Sequence, residues 1–127
     1  MSEWYIGLMS GTSLDGVDAV LADFGGTRTR VLAHGSLSLP EFLKAELLAL
    51  NQAGDNEIHR SALAGNALAR LYAQAVQDVL LRAGASAAQV RAVGAHGQTV
   101  RHRPQAFDGT GYTVQLNAPA LLAELCG

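Results

Sequence analysis

Glycines, hydroxyl side chains and carboxylates are concentrated in one stretch near the N-terminus, Met-Ser-Gly-Thr-Ser-Leu-Asp-Gly-Val-Asp at positions 9–18. Gly11 can adopt the positive φ of a sharp bend, and the pair Asp15-Gly16 is typical of a hairpin turn. Backbone N–H groups in such a bend converge on an anion, so the pattern predicts a phosphate cradle. It is equally typical of a plain type I′ hairpin whose Ser and Thr side chains bond to their own backbone.

Two better-known loops with similar spacing do not fit this stretch. A Walker A loop needs Lys and Ser or Thr where Val17 and Asp18 stand, and it leads into a helix, whereas a strand pattern follows here. A nucleophile elbow needs a glycine two residues after its Ser, where this chain has Asp15. Because Asp15 and Asp18 would repel a bound phosphate, a nucleotide at this loop is expected to arrive with Mg²⁺.

A second polar group lies far along the chain, at residues 96–99. His96 can donate or accept a proton near neutral pH, Gly97 permits close backbone approach, and Gln98 offers a paired donor and acceptor for a sugar hydroxyl or an amide. The group therefore predicts ligand contacts, although residues from Thr99 onward can equally continue as an exposed strand. A zinc site at His96 and His102 is disfavoured, because their spacing matches no helical pair of ligands.

Short apolar runs and helical periodicity predict the elements that would position these groups. Strands are expected at residues 4–8, 17–22, 29–37, 90–95, 99–103 and 112–116, and helices at 40–50, 57–83 and 117–125. The first three strands predict an antiparallel meander, and the last two predict a hairpin. A long helix between strands indicates an α/β fold, in which ligands gather beyond strand ends.

Several individual residues are assigned structural roles. Tyr72 lies in the apolar stripe of the long helix and is predicted to be core, and Gly84 is expected to end that helix. Asp23 is interpreted as a solvated turn residue and left out of the site. Arg60 is interpreted as solvated, and the alternative in which residues from Thr99 onward continue as an exposed strand makes Arg101 solvated as well. Asn117 is predicted to cap the last helix.

Composition limits the class of protein. The chain has 127 residues, enough for one domain, and its formal charge of −2 argues against a nucleic-acid-binding surface. The single Cys126 excludes an internal disulfide framework. Neither a basic region followed by an apolar run at the N-terminus nor an apolar stretch of about 20 residues is visible, so a cytoplasmic protein without a membrane partner is expected.

The stretch at 9–18 resembles the N-terminal signature of the anhydro-N-acetylmuramic acid kinases, which belong with the sugar kinases, Hsp70 and actin. Gly-Ala-His-Gly-Gln-Thr-Val-Arg-His at 94–102 and the run from Thr113 through Leu125 extend the likeness over nearly the whole chain. The chain departs from the family pattern at Asn117-Ala118, where a Gly with Asn or Asp is expected before Pro119.

The resemblance implies a fold and a set of site residues. The fold would be a single RNase H-like (actin-like ATPase) lobe over residues 1–127, incomplete at its C-terminal end, with the second lobe absent. ATP phosphates would contact Gly11, Thr12, Ser13, Leu14, Asp15, Gly16, Val17 and Asp18. Asp15 and Asp18 would help to position Mg²⁺. The sugar would contact His96, Gly97, Gln98 and Thr99.

The resemblance also implies a reaction, the ATP-dependent hydrolysis and phosphorylation of 1,6-anhydro-N-acetylmuramic acid to N-acetylmuramic acid 6-phosphate in cell-wall recycling. The general base is expected beyond Gly127, so the 127-residue chain alone is expected to be an inactive N-terminal fragment. An alternative is a non-catalytic module that binds phosphate or pairs with a partner, including a second copy. A metal-dependent nuclease is disfavoured, because the strand at 90–95 contributes no carboxylate.

Overall fold

A computed structural model describes residues 2–127, which form six β-strands, three α-helices and one 3-10 helix. The strands are β1 (Trp4–Ser10), β2 (Gly16–Asp23), β3 (Arg30–Ser38), β4 (Val90–Ala95), β5 (Gln98–Pro104) and β6 (Gly111–Leu116). The helices are α1 (Glu41–Ala49), α2 (Glu57–Ala83) and α3 (Pro119–Cys126), with the 3-10 turn at Ala87–Gln89. Each predicted element is present, with bounds within two residues of those expected.

Four strands form a mixed sheet in the order β3-β2-β1-β4. The pairs β1–β2 and β2–β3 are antiparallel, which confirms the predicted meander, and β4 runs parallel to β1. Strands β5 and β6 form a separate antiparallel hairpin, as predicted. The chain is therefore a mixed α/β fold in which α2 provides the crossover between the meander and β4.

Helix α2 covers one face of the mixed sheet and also contacts α3. Its buried stripe confirms the helical periodicity and includes Leu68, Leu71, Tyr72, Ala75, Val76, Val79 and Leu80. Tyr72 is fully buried, as predicted. Gly84 follows the helix with φ +64°, and its N–H donates to the carbonyl of Leu81, which confirms it as the stop signal.

The turn between β1 and β2 differs from the predicted type I′ hairpin. Gly11 does not adopt a positive φ; Leu14 does, at 58°, and its N–H donates to the carbonyl of Gly11 over 3.1 Å. Gly16 already belongs to β2, where an added Cβ would lie 2.3 Å from the carbonyl oxygen of Leu37. Glycine is thus needed at position 16 for close strand approach rather than for turn geometry.

The start of α3 also differs from the prediction. The N-cap residue is Ala118, and the Asn117 side chain makes no capping bond to the helix. Instead, Asn117 Nδ2 donates to the carbonyl of Ala95 over 3.4 Å, while its Oδ1 accepts the N–H of Ala118 over 2.8 Å. Because Ala118 has φ −139°, an ordinary extended value, the chain follows this path without the glycine of the family pattern.

Three side chains expected to be solvated make structural contacts. The Arg60 guanidinium pairs with Glu46 and so joins α2 to α1, with an Nε to Oε1 distance of 3.0 Å. The Arg101 guanidinium pairs with Glu57, which joins β5 to the start of α2. The Asp23 carboxylate accepts the N–H groups of Glu3 and Gly25, each over 2.9 Å, and so ties the beginning of β1 to the end of β2.

Within residues 2–127, the helices are all too short or too polar to cross a membrane.

Candidate functional site

The two polar segments predicted from the sequence follow the carboxyl ends of two neighbouring strands of the mixed sheet. Strand β1 ends at Ser10 and its parallel neighbour β4 ends at Ala95, which is in register with Leu8. The His96 N–H donates to the carbonyl of Leu8 over 3.0 Å and extends this pairing by one residue. Segment 11–18 and segment 96–99 therefore start side by side at the carboxyl ends of two parallel strands, where α/β folds commonly bind ligands.

A buried contact joins the starts of the two segments. Ser10 Oγ lies 3.2 Å from the carbonyl oxygen of Gly97 and 3.1 Å from the hydroxyl of Tyr72. Ser10 is only 2% exposed, so this contact is inside the molecule. Because a carbonyl can only accept, Ser10 donates its one proton to Gly97, and the Tyr72 hydroxyl donates to Ser10.

Segment 11–18 divides into core and surface side chains. Leu14 and Val17 are buried in the hydrophobic core, so only their backbone atoms could meet a ligand. Thr12, Ser13, Asp15 and Asp18 have exposed side chains. Their hydroxyl and carboxylate groups, together with the backbone of the turn, are what this segment offers at the surface.

An open depression of about 410 Å³ lies beside segment 11–18. It is lined by Gly11, Ser13, Asp15, Gly16, Asp18, Ser36, Leu37 and Ser38. The Ser36 hydroxyl donates to the Asp18 carboxylate over 2.6 Å, which holds that carboxylate over the neighbouring strand. Residues 96–99 are not part of this lining. They lie beyond the same end of the sheet but outside the depression.

Sequence reasoning did not assign the β3 side of this depression. Ser36 and Ser38 stand at alternate positions of β3, opposite Asp18 and Gly16 of β2. Alternation along a strand places both hydroxyls on one face. The meander prediction combined with this spacing is the signal that could have found them.

Segment 96–99 presents one side chain and buries another. His96 is exposed, and its Nδ1 lies 3.0 Å from the carbonyl oxygen of Gly97. A carbonyl oxygen can only accept, so Nδ1 is the donor in this contact. Gln98 is only 1% exposed; its Nε2 donates to the carbonyl of Thr99 over 3.3 Å. Within residues 2–127 its Oε1 has no hydrogen-bond partner.

The remaining two residues of this segment are held by the β5–β6 hairpin. Gly97 has φ +82°, and an added Cβ would lie 2.6 Å from the carbonyl oxygen of Leu116. Thr99 Oγ1 accepts the side-chain amide of Gln115 over 3.1 Å. The segment is therefore fixed from both sides, and His96 is the member whose side chain faces solvent.

The donor set of segment 11–18 is compatible with Mg²⁺ but does not form a complete cage. Among residues 2–127, His, Cys, Asp and Glu side chains form no group of three or more that could hold a metal ion. Asp15 and Asp18 offer oxygen ligands, with serine hydroxyls nearby. Mg²⁺ is commonly held by one or two carboxylates with water and substrate phosphates completing its shell, so these residues fit an ion that arrives with a nucleotide.

Comparison with known proteins assigns the chain to a family. A family model described as anhydro-N-acetylmuramic acid kinase matches residues 3–127. The chain belongs to this family. Relatives named anhydro-N-acetylmuramic acid kinase include one from Albidiferax ferrireducens, 64% identical over 127 residues, that is 100% of this chain and 33% of the relative.

Two further members of the family give the same picture. The relative from Variovorax paradoxus is 62% identical over 98% of this chain and 33% of its own length, and the relative from Bordetella pertussis is 61% identical over 97% and 32%. The chain thus spans about a third of the length of the anhydro-N-acetylmuramic acid kinases that it matches.

Proposed function

We propose that this chain is the N-terminal part of an anhydro-N-acetylmuramic acid kinase. The whole enzyme would convert 1,6-anhydro-N-acetylmuramic acid, ATP and water to N-acetylmuramic acid 6-phosphate and ADP during cell-wall recycling in the cytoplasm. The family match supports the activity of the whole protein. The observation that carries the site is the buried contact of Ser10 with Gly97, which joins segments 11–18 and 96–99 beyond the carboxyl ends of β1 and β4.

In this proposal segment 11–18 binds the phosphates of ATP. The exposed Thr12 and Ser13 hydroxyls and the backbone of the turn would donate hydrogen bonds to phosphate oxygens. Asp15 and Asp18 would hold Mg²⁺, with Ser36 keeping the Asp18 carboxylate in place. ATP supplies the phosphoryl group, and the protein contributes chiefly positioning and charge neutralisation.

Segment 96–99 would face the sugar. His96 can accept a sugar hydroxyl through Nε2, because its Nδ1 proton is engaged by Gly97. Gln98 is enclosed, so its contribution would be to shape the segment unless it rearranges on binding. An activated water attacks the anomeric carbon, and the oxygen freed from the anhydro bridge takes the phosphoryl group. The general base for that water would come from outside the 127 residues.

The sheet order supports a more specific fold assignment. A meander followed by a helical crossover to a strand parallel with β1 is the pattern of the RNase H-like lobe of actin-like ATPases. We propose that residues 1–127 are most of one such lobe and that a second lobe completes the nucleotide site. The enzyme would act on its small-molecule sugar without nucleic-acid or membrane partners, and as a homodimer.

A chimera tests this function directly. Residues 1–127 of this chain would replace the aligned 127 residues of the Albidiferax ferrireducens relative. We expect ADP release that requires both 1,6-anhydro-N-acetylmuramic acid and Mg²⁺. The matched control is the unaltered relative, assayed in parallel. A chimera with a native-like circular dichroism spectrum but no sugar-dependent ADP release would contradict the proposal.

The open edge of β4 favours a second candidate function, that of a module that pairs with a partner chain. Strand β4 is the last strand of the sheet order, and an apolar groove of about 360 Å³ runs beside it, lined among others by Val90, Val93, Leu122 and Cys126. Unpaired strand edges with apolar surroundings promote association. Light scattering after size exclusion would show a dimer if this candidate holds, and a monomer at high micromolar concentration would argue against it.

A further inference from the structure

Tyr72, which the sequence assigns only to the core, lies directly beneath the junction of the two segments. Its hydroxyl is 3.1 Å from Ser10 Oγ, and Ser10 Oγ is 3.2 Å from the carbonyl of Gly97. Tyr72 comes from α2, Ser10 ends β1 and Gly97 follows β4. One chain of two hydrogen bonds therefore connects three elements far apart in sequence.

The surroundings fix the direction of these bonds. Tyr72 is fully buried and Ser10 is nearly so, and unpaired polar groups in such positions are costly. Burial raises the pKa of Tyr72 above the ordinary value of a tyrosine. The phenol is therefore neutral and able to donate at physiological pH. Its bond occupies one lone pair of Ser10 and orients the Ser10 proton towards Gly97.

We propose that Ser10 and Tyr72 are positioning residues, which set the separation between the phosphate-binding segment 11–18 and the sugar-facing segment 96–99. The inference rests on the proposed kinase function. Ser10 immediately precedes Gly11, and Gly97 immediately follows His96, so a change in this contact shifts one segment relative to the other. Neither Ser10 nor Tyr72 needs to touch substrate for this role.

Phosphoryl transfer depends on the alignment of the two reactants, and a displacement of about 1 Å can cost about a hundredfold in rate. A positioning role therefore predicts an effect on kcat with little effect on the KM of either substrate. A residue that only stabilises the fold predicts unchanged kcat well below the melting temperature. The two roles are thus separable by steady-state kinetics.

The kinetic test uses the active chimera carrying Ser10→Ala, Ser10→Cys, Tyr72→Phe or Ser10→Ala with Tyr72→Phe. We expect kcat to fall about tenfold in Ser10→Ala and about threefold in Tyr72→Phe, because the latter keeps the Ser10 bond to Gly97. Ser10→Cys matches serine in shape but is a weak donor, and it should behave like Ser10→Ala. The double variant should be no slower than Ser10→Ala, since both changes break one chain of bonds.

The matched control is Tyr112→Phe, which removes the hydroxyl of a partly exposed tyrosine on β6. It should leave kcat within about twofold of the parent chimera. Unchanged kcat in folded Tyr72→Phe and Ser10→Cys chimeras would overturn the inference. So would equal losses in Tyr72→Phe and Tyr112→Phe.

A second measurement on the 127-residue chain does not depend on enzyme activity. Hydrogen exchange should be faster in Tyr72→Phe than in Tyr112→Phe at the amides of residues 11–16 and 96–99 together. No difference at either segment would overturn the inference even if the parent chimera is active. An inactive parent chimera with faster exchange at both segments would instead count against the kinase proposal and support the positioning contact.

Discussion

Single glycines in this chain are required where two backbones approach each other. Gly97 combines a positive φ with a carbonyl oxygen 2.6 Å from the place of a Cβ atom, whereas Gly16 has only the close approach. Both positions lie in the segments that form the candidate site. A side chain at either position would therefore displace the backbone that forms the candidate site.

Gly97→Ala should destabilise the protein by about 1–3 kcal/mol, because a left-handed φ strains a residue with a Cβ and the new atom meets the Leu116 carbonyl. Gly94→Ala is the matched control, since a Cβ there has no atom within 4 Å and position 94 lies in the neighbouring strand. Urea unfolding would measure both. A loss in Gly94→Ala as large as in Gly97→Ala would contradict this account.

Asp23 gives a prediction about pH. Hydrogen bonds from the backbone N–H groups of Glu3 and Gly25 lower the pKa of Asp23 below its ordinary value. A lowered pKa in the folded state gives stability that is present above about pH 3.9, the value for an unperturbed Asp, and is lost as pH falls through the folded pKa. Asp23→Asn should therefore be less stable than the parent at pH 7, and the difference should shrink towards pH 2–3.

Thermal unfolding between pH 2.5 and 7 would measure this effect. Asp15→Asn, which removes an exposed carboxylate from the same hairpin, is the control for the change in net charge. A difference between parent and Asp23→Asn that is constant across this range, or that grows as pH falls, would contradict the assignment.

Among the elements, α2 does most to hold the fold together. It covers the meander, contacts α3 and carries Tyr72 to the junction of the two segments. Its first turn is joined to other elements by polar contacts, through Arg60 to α1 and through Glu57 to β5. The position of the candidate site therefore depends on how this helix packs on the sheet.

Two leucines of α2 allow a matched test of its packing. Leu68 is 0% exposed and Leu81 is 80% exposed in the same helix. Leu68→Ala should cost about 2–5 kcal/mol through lost burial and a cavity, and Leu81→Ala less than about 0.5 kcal/mol. Guanidinium unfolding would compare them. Similar losses for both would show that α2 packs on the sheet by a different face.

At the scale of the whole molecule, the chain holds one side of a proposed two-sided site. Segments 11–18 and 96–99 lie beyond the carboxyl ends of β1 and β4. The family members that it matches are about three times as long as this chain. A phosphate-binding loop open to solvent cannot exclude water from a transferred phosphoryl group. In the proposed enzyme, residues of a second lobe would close in the nucleotide.

The purified 127-residue chain should therefore release no ADP from Mg-ATP when 1,6-anhydro-N-acetylmuramic acid is added. A coupled ADP assay would measure this, with the Albidiferax ferrireducens relative as the active control. Sugar-dependent ADP release by the chain alone would show that it contains a complete site.

The elements and the family were predictable from the sequence because both depend on short-range patterns. The 3.6-residue stripe of α2 is a property of neighbouring residues, as is the helix stop at Gly84. The motif at 9–18 was sufficient to indicate the anhydro-N-acetylmuramic acid kinases, and the match over residues 3–127 confirms it. Local sequence therefore determined the strands, the helices and the family of this protein.

The tertiary structure decided which polar groups meet. Ser10 contacts Gly97 across 87 positions and Tyr72 across 62, and no local pattern encodes such pairs. The same packing encloses Gln98. It also assigns the positive φ of the first turn to Leu14, whose side chain is drawn into the core. These features depend on how strands and helices pack together, which is why only the folded chain reveals them.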